Sequence, residues 1–119
     1  MAWDLSHITK QVEEQAVEHL RAIAHDMADS IASRASVDTS RMVSNNYISQ
    51  IVPDESFDDN FFLGRAGARN FMFMQVQDIK TLQDVYFRNL TPYAVTQDVR
   101  TGFYRMTVPA VARKWGYLA

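Results

Sequence analysis

Apolar and polar residues in the N-terminal part of the chain alternate with the period of an α-helix. No proline or glycine interrupts residues 4–33, and Asp4 is placed to cap the N-terminus. The apolar positions are three or four residues apart, which puts them on one face. At ~1.5 Å per residue this helix is roughly 45 Å long, so we expect part of it to extend beyond the core toward a neighbouring molecule. The apolar positions are Leu5, Ile8, Val12, Ala16, Leu20, Ile23, Met27 and Ile31.

A strand is predicted after the long helix, over residues 42–52. Small and turn-forming residues at 33–41 end the helix, and β-branched residues are frequent in the segment that follows. Residues 53–60 then form an acidic loop, or else the tip of a hairpin whose return strand begins at Phe61 and Phe62.

Residues 64–82 carry two competing periodicities. Alternation at Met72, Met74 and Val76 fits a strand, whereas a larger set of apolar positions fits helical spacing. We favour a helix over residues 65–80. The positions at helical spacing are Ala68, Phe71, Met72, Gln75, Ile79 and Leu82.

The C-terminal third is predicted to alternate between short strands and turns. Gly102 is expected to break the chain, and Pro109 is tolerated in the first turn of a final helix. The predicted elements are a strand at 84–89, an extended segment at 93–99, a strand at 103–108 and a helix at 109–115.

These elements predict one α+β domain that spans residues 1–119. A long helix at about 4–33 packs on a small, mainly antiparallel sheet. The sheet and the shorter helices, one intermediate and one C-terminal, occupy about residues 40–116.

Composition narrows the classes of function. Apolar residues make up 47% of the chain and charged residues 22%, as in an ordinary globular domain. The absence of cysteine excludes disulfides, thiolate metal sites and a cysteine nucleophile. No apolar run approaches the ~20 residues that span a bilayer, so no membrane partner is predicted. The first residues lack the pattern of a secretion signal.

The net charge of −2 conceals an uneven distribution. Residues 1–60 contain four basic and eleven acidic side chains, a net charge of −7. Residues 61–119 contain eight basic and three acidic side chains, a net charge of +5. Such polarity either reflects solvated surfaces or favours head-to-tail association between copies.

No arrangement of residues indicates catalysis. The three histidines are 12 and 6 residues apart on one helix, whereas two metal ligands on a helix need a spacing of three or four. The acidic residues at 54–59 lack the central glycine of a calcium loop. The four glycines form no phosphate-binding motif, and no serine stands in a nucleophile context. We therefore predict no enzyme activity, no metal and no cofactor.

Basic and aromatic residues are interleaved in the second half of the chain, which is typical of surfaces that bind single-stranded nucleic acid. The pI near 5.8 is low for such a protein. A small nucleic-acid-binding protein therefore stays as an alternative rather than the leading hypothesis.

Two segments resemble one known family. Residues 36–49 read SVDTSRMVSNNYIS, and residues 85–106 read VYFRNLTPYAVTQDVRTGFYRM. They are similar to the neck and tail-completion family of tailed bacteriophages, the minor-tail-protein-Z-like head–tail joining proteins. The family has VDTGRLR before a strand and N-x-x-PYA after a later one. Here VDTSRM and NLTPYA stand in those places, and Ser40 replaces the usual glycine.

The resemblance covers roughly residues 5–115 and implies a structural virion protein without catalytic activity. Such proteins assemble in the bacterial cytoplasm into a ring at the head–tail junction, and a hexamer is favoured over a dodecamer. The ring contacts a head-closure or connector protein and the tail terminator or tail tube. DNA passes through its lumen without sequence-specific binding. A tail terminator is the alternative within virion proteins.

The resemblance also suggests that the sheet end after the second motif faces a neighbouring subunit. Asn89 and Pro92 shape the turn, and Tyr93 is a rigid aromatic of the kind enriched in interfaces. Tyr93 and Arg41 could equally lock the turn to the sheet within one subunit. The candidate interface residues are Arg41, Asn89, Pro92, Tyr93 and Ala94.

Overall fold

The computed structural model describes residues 6–35, 41–58, 60–91 and 94–116, and these ranges contain both helices and a small sheet. The α+β class and the arrangement of a long helix, an antiparallel sheet and further helices are confirmed. The elements are α1 (Ser6–Arg34), α2 (Arg41–Ser44), β1 (Tyr47–Gln50), α3 (Gly64–Gln77), β2 (Val85–Arg88), α4 (Ala94–Thr101) and α5 (Thr107–Lys114).

The two halves of α1 have different environments. Residues 10–15 are all exposed, and even the aliphatic Val12 is 58% exposed. The C-terminal half carries a row of buried alanines one position beyond the predicted apolar row, at Ala24, Ala28 and Ala32. Small side chains let another helix approach closely, and this is where α3 packs. Residues 10–15 of α1 therefore lie outside the core, as the length of the helix predicts.

Helix α3 lies antiparallel to α1. At one end, the guanidinium of Arg65 donates to the Ser33 carbonyl over 2.6 Å. At the other end, Arg21 Nε donates to the Ile79 carbonyl, also over 2.6 Å. Arg69 of α3 also pairs with Asp29 of α1 at 2.9 Å, and these charge-assisted contacts fix the register of the two helices. The prediction of a helix over residues 65–80 is confirmed, and its buried face holds Ala68, Met72 and Val76.

The sheet is a two-stranded antiparallel ribbon in which Ile48 lies opposite Phe87. Its outer edge is closed in part by α3, because the Ile48 amide donates to Gln75 Oε1 over 2.8 Å. The predicted strand at 84–89 is confirmed, whereas the one at 42–52 is correct only in its middle. Residues 41–44 form α2, and all of residues 43–46 are buried, as in a short helix wedged into a core.

Strand β1 ends in a strained turn. Ile51 has a φ of 76°, in the left-handed region that β-branched residues rarely adopt. The Val52 amide donates to the Gln50 carbonyl over 2.9 Å, which closes a three-residue turn around Ile51. The prediction of a return strand at Phe61 is wrong. Phe61 instead packs edge-on against Phe71 of α3, with ring centroids 5.0 Å apart.

The extended segment at 93–99 and the strand at 103–108 are also wrong, because α4 covers 94–99 and a turn followed by the start of α5 covers 103–108. Gly102, with a φ of 68°, reverses the chain between them, and the Met106 side chain fills the space that a Cβ would need there. Phe103 is buried in the core at this turn. The apolar residues that follow it in the sequence resemble the pattern of a strand. The expected break at Gly102 and the C-terminal helix are confirmed.

Two side chains at the end of α5 bind an aspartate in the middle of α1. Asp26 Oδ2 accepts from Trp115 Nε1 over 2.8 Å and pairs with Lys114 Nζ at 2.9 Å. Chiefly through the hydrogen bond from Lys114, and despite partial burial, this arrangement holds the pKa of Asp26 below its usual value. In the described part of the chain, no helix combines the length and apolar character needed to cross a membrane.

Ala28→Leu is expected to lower the free energy of unfolding by about 1–3 kcal/mol, because the larger side chain has no room between α1 and α3. Urea denaturation measures the change. Ala22→Leu is the control, since Ala22 is exposed on the same helix, and it should change stability by less than about 0.5 kcal/mol. Equal effects at both positions would contradict close packing.

Asp26→Asn is expected to destabilise the protein by about 1 kcal/mol at pH 7. A carboxyl whose pKa is lowered on folding stabilises the fold above its unfolded pKa, and this contribution is lost as pH falls through the folded value. The difference between wild type and variant should therefore shrink below pH ~4. Urea titrations at several pH values measure it, with Asp84→Asn as an exposed control. A difference that does not change with pH would refute the assignment.

Candidate functional site

The two segments that carry the family resemblance touch each other in the structure. Asn89 Nδ2 donates to the Met42 carbonyl over 2.7 Å and to Asn46 Oδ1 over 3.2 Å. Its Oδ1 accepts from the Thr91 amide at 3.0 Å, which forms the turn expected of an asparagine there. One side chain thus shapes the second motif and binds it to the first.

Asn46 is the centre of this contact and is fully buried. Besides Asn89, its Oδ1 accepts from the Tyr104 hydroxyl over 2.8 Å. Its Nδ2 donates to the Val43 carbonyl over 2.8 Å, and its own carbonyl accepts from Gln75 Nε2 over 2.9 Å. A single residue therefore joins α2, α3, the end of β2 and the turn before α5.

Asn45, the residue before Asn46, binds a different segment, the loop between β1 and α3. Its Nδ2 donates to the Asp58 carbonyl over 3.0 Å, and its Oδ1 accepts from the Asp58 amide over 2.8 Å. Ser44 Oγ accepts from the Leu63 amide over 2.8 Å. The long loop between β1 and α3 is thereby folded back onto α2. We call Asn45, Asn46 and Asn89 the asparagine cluster.

Two tyrosines near the cluster have raised pKa values. Burial, and secondly the negative charge of Asp98, raises the pKa of Tyr104, so its hydroxyl stays a donor to Asn46. Burial also raises the pKa of Tyr47, with further contributions from Asp58 and Asp54. Both shifts keep the phenols neutral, which suits a structural hydrogen-bond network rather than acid–base chemistry at neutral pH.

The structure assigns different environments to the predicted interface residues. Asn89 and Ala94 face inward; Ala94 is the first residue of α4 and is 9% exposed. Arg41 begins α2, but its side chain lies outside what the structure describes, and so do Pro92 and Tyr93. The interface assignment of Arg41, Pro92 and Tyr93 stays a prediction.

Sequence reasoning missed Asn45, Asn46, Gln75 and Tyr104. Two adjacent asparagines before a strand are typical of a turn, but nothing local shows that their partners lie 13 to 58 residues away. Among the described residues, no group of three or more histidine, aspartate or glutamate side chains is arranged to hold a metal.

A cleft lies away from the cluster, beside the exposed residues of α1. It has a volume of about 560 Å³ and is open to solvent. Its walls mix acidic residues such as Glu13, Glu14 and Glu18 with Lys10 and Lys80. Because these charges are of both signs and exposed, the cleft is a surface groove between α1 and the loop before β2 rather than an enclosed reaction site.

Comparison with protein-family models, with curated proteins and with solved structures gave no match to this chain.

Asn46→Ala is expected to destabilise the fold by about 3 kcal/mol, because it deprives buried donors of their acceptor. Tyr104→Phe should cost less, about 1 kcal/mol, since Asn46 keeps Asn89 as a donor. Thermal and urea denaturation measure both.

The matched control is Asn70→Ala, at an exposed position of α3. A surface substitution of this kind should change stability by no more than about 0.5 kcal/mol. If Asn46→Ala behaved like the control, the asparagine cluster would not hold the two motif segments together.

Proposed function

We propose that this chain is a structural protein of a tailed bacteriophage that forms a ring at the head–tail junction. It would join the head connector to the tail and let DNA pass through the ring. The observation that carries the proposal is the contact of Asn89 with Met42 and Asn46. It brings the two motif segments, whose bonded residues are 43 to 47 positions apart in sequence, together at one place in the fold.

The shape of the subunit supports an assembly role. The molecule measures 65 × 33 × 23 Å, and residues 10–15 of α1 are exposed. An amphipathic helix that extends past its own core leaves an unburied surface, which is a common feature of proteins that bind neighbours. Ring neighbours and a head-closure or tail protein are the partners that the resemblance implies.

The charge distribution supports passage of DNA rather than its capture. The net charge is −2, so the protein as a whole does not attract a polyanion. A lumen that binds DNA weakly and without sequence preference suits packaging and ejection. The site of action would be the neck of the virion, after assembly in the bacterial cytoplasm.

Deleting the gene from the phage that carries it is the test, with electron microscopy of the lysate as the measurement. We expect filled heads and separate, finished tails that fail to join. Wild-type protein supplied from a plasmid should restore joined particles, which controls for effects on neighbouring genes.

Other outcomes separate the alternatives. Tails of uncontrolled length would favour a tail terminator, because an uncapped tube keeps polymerising. Joined, infectious particles would overturn a role in the virion neck. Salt-dependent binding of single-stranded DNA by the purified protein would then support the nucleic-acid alternative.

A further inference from the structure

An unusual number of apolar side chains are exposed in the loop between β1 and α3. We call residues 51–63 the acidic loop. Beside its carboxylates at Asp54, Glu55 and Asp58, it exposes bulky apolar side chains. A solvated loop has no need of such residues, and clustered exposed apolar side chains mark interaction surfaces. Those side chains, with their exposed fractions, are Ile51 68%, Val52 66%, Phe57 39%, Phe62 53% and Leu63 38%.

A second surface has the same apolar character and the opposite charge. We call residues 99–108, at the junction of α4 and α5, the basic corner. Val99 is 67% exposed, Met106 49% and Val108 54%. Arg100 and Arg105 are exposed among them. Apolar contact flanked by charge is the composition of an interface with a defined partner.

Both surfaces are held in one shape by internal hydrogen bonds. In the basic corner, Asp98 Oδ1 accepts from the amides of Tyr104 and Arg105, each over 2.9 Å. In the acidic loop, Asn45 makes the two bonds to Asp58 described above. Surfaces that are ordered before binding lose less conformational entropy when they bind.

The two surfaces are bound to adjacent residues of the asparagine cluster. Asn45 binds the acidic loop through Asp58, whereas the next residue, Asn46, binds the basic corner through Tyr104. The two surfaces are therefore formed by separate segments of the chain, each with its own anchor in the core.

We propose that copies of this chain associate head to tail, with the acidic loop of one copy seated on the basic corner of the next. A contact between two different surfaces repeats from copy to copy, and it closes into a ring when the rotation allows. The loop carries Asp54, Glu55 and Asp58 and the corner carries Arg100 and Arg105, so opposite charges would meet across the contact. The proposal rests on the ring-forming function above and names the surfaces that would build the ring.

The cysteine-free chain allows a clean crosslinking test. Ser56→Cys marks the acidic loop, Val108→Cys marks the basic corner, and both positions are exposed. The two variants carry tags of different size, are mixed in equal amounts and are treated with a short bis-maleimide. Mixed pairs should exceed the two kinds of like pair together by about fivefold, because loop–corner contact is favoured over loop–loop and corner–corner contact.

A third variant, Gln77→Cys on the exposed end of α3, is the control and should pair at random with either partner. Circular dichroism and thermal unfolding confirm that each variant is folded. Random pairing of the loop and corner variants would overturn the proposal and leave another partner, or solvent, as the occupant of both surfaces.

Charge reversal tests the chemistry of the contact. Arg100→Glu in the Val108→Cys chain should abolish the excess of mixed pairs, and Glu55→Arg in the Ser56→Cys chain should restore it. An excess that is unchanged by reversal would also overturn the proposal, because complementary charge would not select the partner.

The two proposals can fail separately. Specific loop–corner crosslinks together with normal virions in the deletion strain would keep the interface and reject the neck function. Unjoined heads and tails together with random crosslinking would keep the function and reject these surfaces as the subunit contact.

Discussion

Burial of Asn46 is the constraint on which the rest of the structure depends. A buried amide costs free energy unless its donors and acceptors are all paired. Here the pairing draws in a helix, a strand end and a turn that are far apart in sequence, through Gln75, Asn89 and Tyr104. The requirement to pair the side chain and the carbonyl of one residue therefore fixes how α2, α3 and the C-terminal segment are placed relative to one another.

A protein of this size has few other means to specify a unique arrangement. Its sheet has only two strands, and such a ribbon is marginally stable unless something packs on it. The apolar seam between α1 and α3 supplies cohesion, but alanines such as Ala24, Ala28 and Ala32 interdigitate little and define register weakly. Polar bonds at Arg21, Arg65 and the asparagine cluster supply that definition.

The sequence predicted those elements that have a strong period of their own. α1 and α3 carry apolar residues at helical spacing, and β2 alternates before a turn. α5 is predicted because Pro109 suits the first turn of a helix. α2 and α4 are four and eight residues long and have no such marker, so periodicity does not separate helix from strand there. Burial in the core decides their conformation, and burial is not visible in the local sequence.

The candidate site also combines features that the sequence predicts with features that it does not. The turn at Asn89 was predictable because asparagine has a local reason to be there. Its bonds to Met42 and Asn46 were not, since periodicity and turn rules describe neighbours in sequence rather than partners in space. The sequence predicts Asn45 and Asn46, the two buried asparagines of the cluster, only as part of a strand.

The uneven burial of α1 has a consequence for how this protein can diverge. Positions such as Ala28 and Ala32 face α3, so a change in size there alters the fold itself. Positions 10–15 are exposed, so packing within the subunit does not restrict them and they are free to change whenever a neighbour changes. A single continuous helix thus joins a part that the fold constrains to a part that the fold leaves free to vary. Related proteins would accommodate new partners through substitutions in the first turns of α1.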